Sequence, residues 1–198
     1  MQTQWTIPGT VLQIQRADAA RVDGLFQSML LTGGLSLSQV SSISGLEPYA
    51  VQNWVKRGFL SAPKQKRYDM DQVCRVLTIN TFKSVLPMER ICSLLAYVNG
   101  DLDSSADDII RDSDLYFLFV KLAGQARDFE TSEDAVQIIS QTLADYDEPV
   151  PCAKERVAKT LRVMLIAWLA ARMRHHTEVL LDEMSLQEKE NENGISNV

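Results

Sequence analysis

Apolar residues recur at helical spacing through most of the chain, punctuated by glycine and proline, and predict an all-α protein. Val22, Leu25, Phe26, Met29 and Leu30 share one face of a helix expected over about 17–31, which Gly33-Gly34 stops. Ser36-Leu37-Ser38-Gln39 has the form of a capping box and opens a short helix with Leu37, Val40 and Ile43 inward. Ser44-Gly45-Leu46 turns the chain, and Pro48 then stands early in a second helix, where its missing N–H costs nothing. Val51 and Val55 face inward there, and Lys56-Arg57-Gly58 ends it. A loop from Ser61 to Arg67 carries Pro63 and three cations. Asp69 can cap a third helix running to about Val85, with Val73, Val76, Leu77 and Phe82 inward. Pro87 opens a fourth, carrying Met88, Ile91, Leu94, Leu95 and Val98 and ending near Asn99-Gly100.

An acidic connection over 101–114 marks a module boundary. Beyond it the spacing predicts helices over about 115–129, 132–146 and 152–186. The organisation expected is therefore an N-terminal helix plus a four-helix module over 1–100, a C-terminal helical bundle over 101–187, and a polar disordered tail over 188–198. In the long final helix Val157, Leu161, Met164, Leu165, Trp168 and Leu169 form one stripe, while Val163, Ile166, Ala167 and Ala170 lie off it. A helix apolar nearly all round needs cover on several sides. The sequence leaves two sources of cover open: the chain's own bundle, or a second copy in a two-fold dimer contacting Leu161, Leu165, Trp168 and Leu169.

Composition narrows the class. A chain of 198 residues with 45% hydrophobic content can bury one core plus a smaller module. The longest purely apolar run, Val163 to Ala171, is too short to span a membrane, and the first residues lack the basic-then-apolar pattern of a signal peptide. Three cysteines with no close pair suit a reducing cytoplasm. The net charge of −6 taken alone argues against nucleic acid. Its distribution argues otherwise: residues 36–97 hold eight cations against four acids, and residues 98–198 hold ten against twenty.

The cations sit where the two short helices lie. A helix pair joined by a tight turn and followed by a basic loop is a device for placing one helix in the DNA major groove. Tyr49, Gln52, Asn53 and Lys56 are polar positions on the second helix, and Gln or Asn can make paired hydrogen bonds to adenine. Arg57 at the helix end and Lys64, Lys66 and Arg67 in the loop are placed to meet phosphates.

With these residues in place, the chain resembles the MerR superfamily of winged helix-turn-helix proteins. The matching text is Leu37-Ser38-Gln39-Val40, Ser44-Gly45-Leu46, the run from Val51 to Leu60, Lys66-Arg67-Tyr68-Asp69-Met70-Asp71-Gln72-Val73, and Leu86-Pro87-Met88-Glu89-Arg90-Ile91. The exit from the second helix also resembles excisionase-type modules. More narrowly, the layout over roughly 5–125 resembles an uncharacterised MerR-like family, a domain of unknown function, of Gram-positive bacteria. Gln52 and Asn53 stand where the superfamily usually has an arginine and then a tyrosine that touch the DNA backbone, and no long coiled coil follows the fourth helix. The resemblance implies a cytoplasmic homodimer that binds double-stranded DNA and regulates transcription. The alternative is an adaptor whose MerR-like fold binds protein.

The remaining candidates point to ordinary roles. Cys74, Cys92 and Cys152 lack ligand spacing, and adjacent His175-His176 point in different directions on a helix. Asp101, Asp103, Ser105, Asp107 and Asp112 imitate a calcium loop but have Ala106 where glycine is required. No nucleophile motif, P-loop or dinucleotide fingerprint is present, so neither an enzyme nor a cofactor is expected. A small apolar effector held in the C-terminal bundle near Trp168 is a third, weaker expectation.

Overall fold

The structure is a computed structural model that describes residues 4–100, 102, 107–126 and 132–195, with the side chains of 132–134 and 186–195 left undescribed. It is largely α-helical, with two short two-stranded sheets. Strands β1 (Gln4–Thr6) and β2 (Gln13–Gln15) pair antiparallel, with Trp5 opposite Ile14. This hairpin lies before the first helix, in a stretch where the sequence announces no element. Its turn docks tightly on the body. Gly9 sits at φ 74°, and a Cβ there would lie 2.1 Å from the Leu77 carbonyl oxygen. Asn80 Nδ2 donates to the carbonyls of Gly9 and Ser44, and the buried Tyr116 hydroxyl donates to Pro8 O at 2.8 Å.

The single helix expected over 17–31 is instead a 3-10 helix, Arg16–Arg21, followed by α1, Val22–Met29. Helices α2 (Leu37–Ser44) and α3 (Pro48–Lys56) follow, then α4 (Met70–Phe82) and α5 (Met88–Asn99). Strands β3 (Leu35–Ser36) and β4 (Arg67–Tyr68) pair antiparallel across the α2–α3 unit. Beyond the acidic connection lie α6 (Asp112–Gln125), α7 (Ser132–Thr142) and α8 (Ala153–Ile195).

α4 is the hub, with nine buried residues on a helix that packs against α2, α5, α6 and α8. Phe82 on α4 meets Phe119 on α6 at 5.4 Å between ring centroids, and Phe119 meets Trp168 on α8 at 6.4 Å. The buried apolar residues form one continuous cluster from Ile7 to Trp168, so the boundary drawn at residue 100 does not divide two cores. At 43 residues, α8 extends about 65 Å. It runs to Ile195, past residue 188, where the sequence predicts a disordered tail: α8 is already established there, and 188–195 hold no proline and only a near-terminal glycine to stop it. Among the described residues no helix is long and apolar enough to cross a membrane.

Candidate nucleic-acid interface

The α2–α3 unit is shaped by local chemistry at each of its ends. Ser36 and Gln39 cap α2 reciprocally, with Ser36 N donating to Gln39 Oε1 at 2.9 Å. Gly45 at φ 70° ends α2 in the left-handed region, where a side chain would be strained. Buried Ser44 secures the corner, donating to Val40 O and accepting from Leu46 N. Pro48 then occupies the first turn of α3. Phe59 N donates to Trp54 O and Gly58 N to Val55 O, the paired bonds of a Schellman motif. Val51 and Trp54 are buried, so α3 is held by that face, and Trp54 is a packing residue as its spacing implies.

The opposite face of α3 is polar and open. Tyr49, Gln52, Asn53 and Lys56 stand at spacings of three and four residues, which places them in one stripe, and all four are exposed. Tyr49 is 72% exposed. None of the four makes a side-chain hydrogen bond or ion pair with a described residue.

The basic loop folds into a tight hairpin. Lys64 bridges Arg67 antiparallel, with Arg67 N donating to Lys64 O at 2.9 Å. The two residues at its tip, Gln65 and Lys66, have φ of 50° and 61°. This is the backbone of the two-residue turn that suits strand twist, for which asparagine and glycine are the usual choice. Here two long polar side chains occupy it at the cost of left-handed strain. Two side chains from α4 pin the base of the loop. Gln72 Nε2 donates to Ser61 O, Ser61 Oγ and Ala62 O. Arg75 Nε donates to Phe59 O. Neither contact is legible in the sequence. The Asp69/Gln72 spacing of a capping box marks Gln72 only as a helix-start residue, and the structure shows that box too.

Not all the expected cations are equally free. Lys56, Lys64 and Lys66 are exposed. Arg57 lies over the Phe59 ring at 4.6 Å and 3.5 Å from Glu89 Oε1, and Arg67 Nη1 donates to Gly34 O at 2.8 Å. The first two groups can turn toward a ligand; Arg67 is committed to holding the hairpin against the 33–34 turn.

The expected dimer contacts are placed differently. Leu161, Leu165 and Trp168 are buried against the chain's own core, and Leu169 is half-buried. α5, α6 and α7 supply the cover that the sequence left open to a second copy, because each packs against α8. These four residues are therefore not a free interface.

A second polar cluster lies where α4 meets α6. Arg75 Nη1 donates to Asp112 Oδ2 at 2.9 Å in a buried ion pair, and Asp71 accepts from Ser113 N. Burial holds the Asp112 carboxyl above its ordinary range despite Arg75. Burial, with Asp112, Asp107 and Asp71 nearby, raises Asp108 to about 6. The described residues contain no cluster of three or more His, Cys, Asp or Glu able to hold a metal; Asp101, Asp103 and Ser105 of the calcium-loop imitation lie outside them. Burial pushes the Cys74 thiol well above its ordinary value and raises Cys92, while Cys152 is exposed; none of the three is in a disulfide. One groove, about 970 Å³ and open to solvent, lies between the 3-10 helix, α6 and the end of α7, and another of about 690 Å³ runs along α8 next to Trp168, lined by Leu169, Ala170, Met173 and His176.

Comparison with known families adds one finding. Residues 32–119 match a family model described as "Domain of unknown function (DUF1836)". The matched segment takes in β3 through the first part of α6, and therefore both the open stripe of α3 and the basic hairpin. That description names no activity and no helix-turn-helix kinship. No curated protein and no solved structure matches the chain.

Proposed function

We propose that the protein is a sequence-specific DNA-binding regulator of transcription, of the MerR-like winged helix-turn-helix type, acting as a homodimer. The observation that carries this reading is the exposed stripe Tyr49, Gln52, Asn53 and Lys56 on a short helix whose other face is buried, followed in the chain by a hairpin tipped with Lys66. α3 serves as the helix that enters the major groove, where Gln52 and Asn53 meet base edges. Lys64 and Lys66 on the wing, with Lys56 and Arg57 at the helix end, meet phosphates. Strain kept at Gln65 and Lys66, where asparagine and glycine would relieve it, fits a tip retained for its side chains.

A second reading has its own support. Arg57 lies near Glu89, Arg67 is engaged by Gly34, and the chain carries a net charge of −6. Those features suit an adaptor that presents α3 to another protein.

Selection from fragmented genomic DNA at about 0.1 M salt separates the two, run beside a variant with Gln52, Lys56 and Lys66 all changed to alanine. A shared inverted repeat recovered by the wild type alone is the expected result. No enrichment over a folded variant overturns DNA binding in favour of the adaptor. Single changes then assign roles. Lys66→Ala weakens binding to all sequences and reduces the salt slope by about 1, whereas Gln52→Ala alters the preferred bases.

A further inference from the structure

α8 has a second apolar stripe, on the face turned away from the core. Val163, Ile166, Ala170, Met173, Thr177, Leu180 and Met184 alternate at spacings of three and four, the seven-residue repeat of a coiled-coil seam. All seven are exposed, Ile166 at 57%, Met173 at 52% and Met184 at 59%. The same helix buries Val157, Leu161, Met164, Leu165 and Trp168 on its other side, so the seam is separate from the stripe that anchors α8. From Arg172 to Ser185 every residue is exposed; Arg174 reaches the body through Ser84 O, but the apolar side chains of this length stay largely in water. A helix of that length carrying Met173, Val179, Leu180, Leu181 and Met184 in water has little to hold it unless something covers it.

We infer that two copies pair antiparallel through this outer face of α8, around an axis near residues 171–172. This deepens the proposed homodimer and rests on it, while requiring nothing of DNA binding. Two observations choose the second copy and its direction. The exposed outer length of α8 needs an apolar surface, and the anchored length offers one in Val163, Ile166 and Ala170. An antiparallel pairing lays each outer length on the partner's anchored length, seating Ala170 against Met173, Ile166 against Thr177 and Val163 against Leu180. The flanks agree in charge. In that register the exposed Arg162 falls beside Glu183 of the other copy, and symmetry repeats the pair. A parallel pairing sets Arg162 beside Ala167 and His176 beside Leu181, with no opposite charges meeting.

The test is sedimentation of the full chain over a concentration series, with circular dichroism to confirm folding. The wild type sediments as a dimer, and Met173→Glu combined with Leu180→Glu sediments as a folded monomer, since both side chains are exposed. Arg162→Glu weakens dimerisation by about tenfold, because two opposite-charge contacts become like-charge ones. Adding Glu183→Arg to Arg162→Glu restores it. A monomeric wild type overturns the homodimer reading itself. A dimer that survives the double glutamate variant leaves that reading standing and overturns this surface. Loss of the dimer in the double glutamate variant, without rescue in the swapped pair, overturns the antiparallel register.

Discussion

α3 and α8 are both held by one buried face, and what they offer on the other differs in kind. α3 turns Tyr49, Gln52, Asn53 and Lys56 to solvent, while α8 turns out Val163, Ile166, Met173 and Leu180. Polar groups in water are already satisfied, so the outer stripe of α3 costs the folded chain little. Apolar groups in water are a standing cost that cover from another chain removes. One molecule thus carries an open polar stripe and an open apolar stripe, on elements that the common core joins through α4, α6 and α8.

The largest effects are expected at the buried faces. Trp54→Ala and Trp168→Ala should each cost about 3–5 kcal/mol in denaturant unfolding, because each empties a packed site. A cost near zero for Trp168 would mean that its face of α8 is not packed against the body. Next is Gln72→Ala, which strips the base of the basic loop of three hydrogen bonds and should cost about 1–3 kcal/mol. Amide exchange should quicken over 59–68 while α8 stays protected. Ser36→Ala removes the cap of α2 and should cost about 1 kcal/mol by thermal unfolding. Lys66→Gly should stabilise by about 1 kcal/mol, relieving the left-handed residue, and should weaken DNA binding across all sequences. Stabilisation with unchanged binding would show that the tip takes no part.

The smallest effect is the pH dependence at Asp108, in the connection before α6 and near the Arg75–Asp112 pair. Its carboxyl is raised from 3.8 to about 6 in the folded chain. The folded state therefore holds this proton more tightly than the unfolded one. The stabilising contribution is full below about 4 and is lost as pH rises through about 6. Asp108→Asn should raise the melting temperature at pH 7.5 and do little at pH 4. An equal shift at both would rule out ionisation as the cause.

Much of the α2–α3 unit is legible in the sequence because its determinants are local. Ser36 with Gln39, Gly45, Pro48 and Gly58 act within a few residues of themselves, and each is found in the role its spacing predicts. The N-terminal hairpin is not legible. Three-residue strands carry too little pattern, and the residues that fix their turn, Asn80 and Tyr116, come from α4 and α6. The pins of the basic loop escape for the same reason: Gln72 and Arg75 act across ten or more residues.

α8 shows where the division falls. Its periodicity establishes a long helix with apolar residues on more than one side, since 3.6 residues per turn assigns each side chain an angle. Which of those sides is inside depends on where α5, α6 and α7 pack, and no spacing within α8 encodes that. Local spacing therefore reveals most of the helices, with the caps of α2 and α4 and the turn at Gly45, because these are set by interactions a turn or two long. Packing between distant segments places Leu161, Leu165 and Trp168 in the core and leaves Val163, Ile166 and Met173 outside.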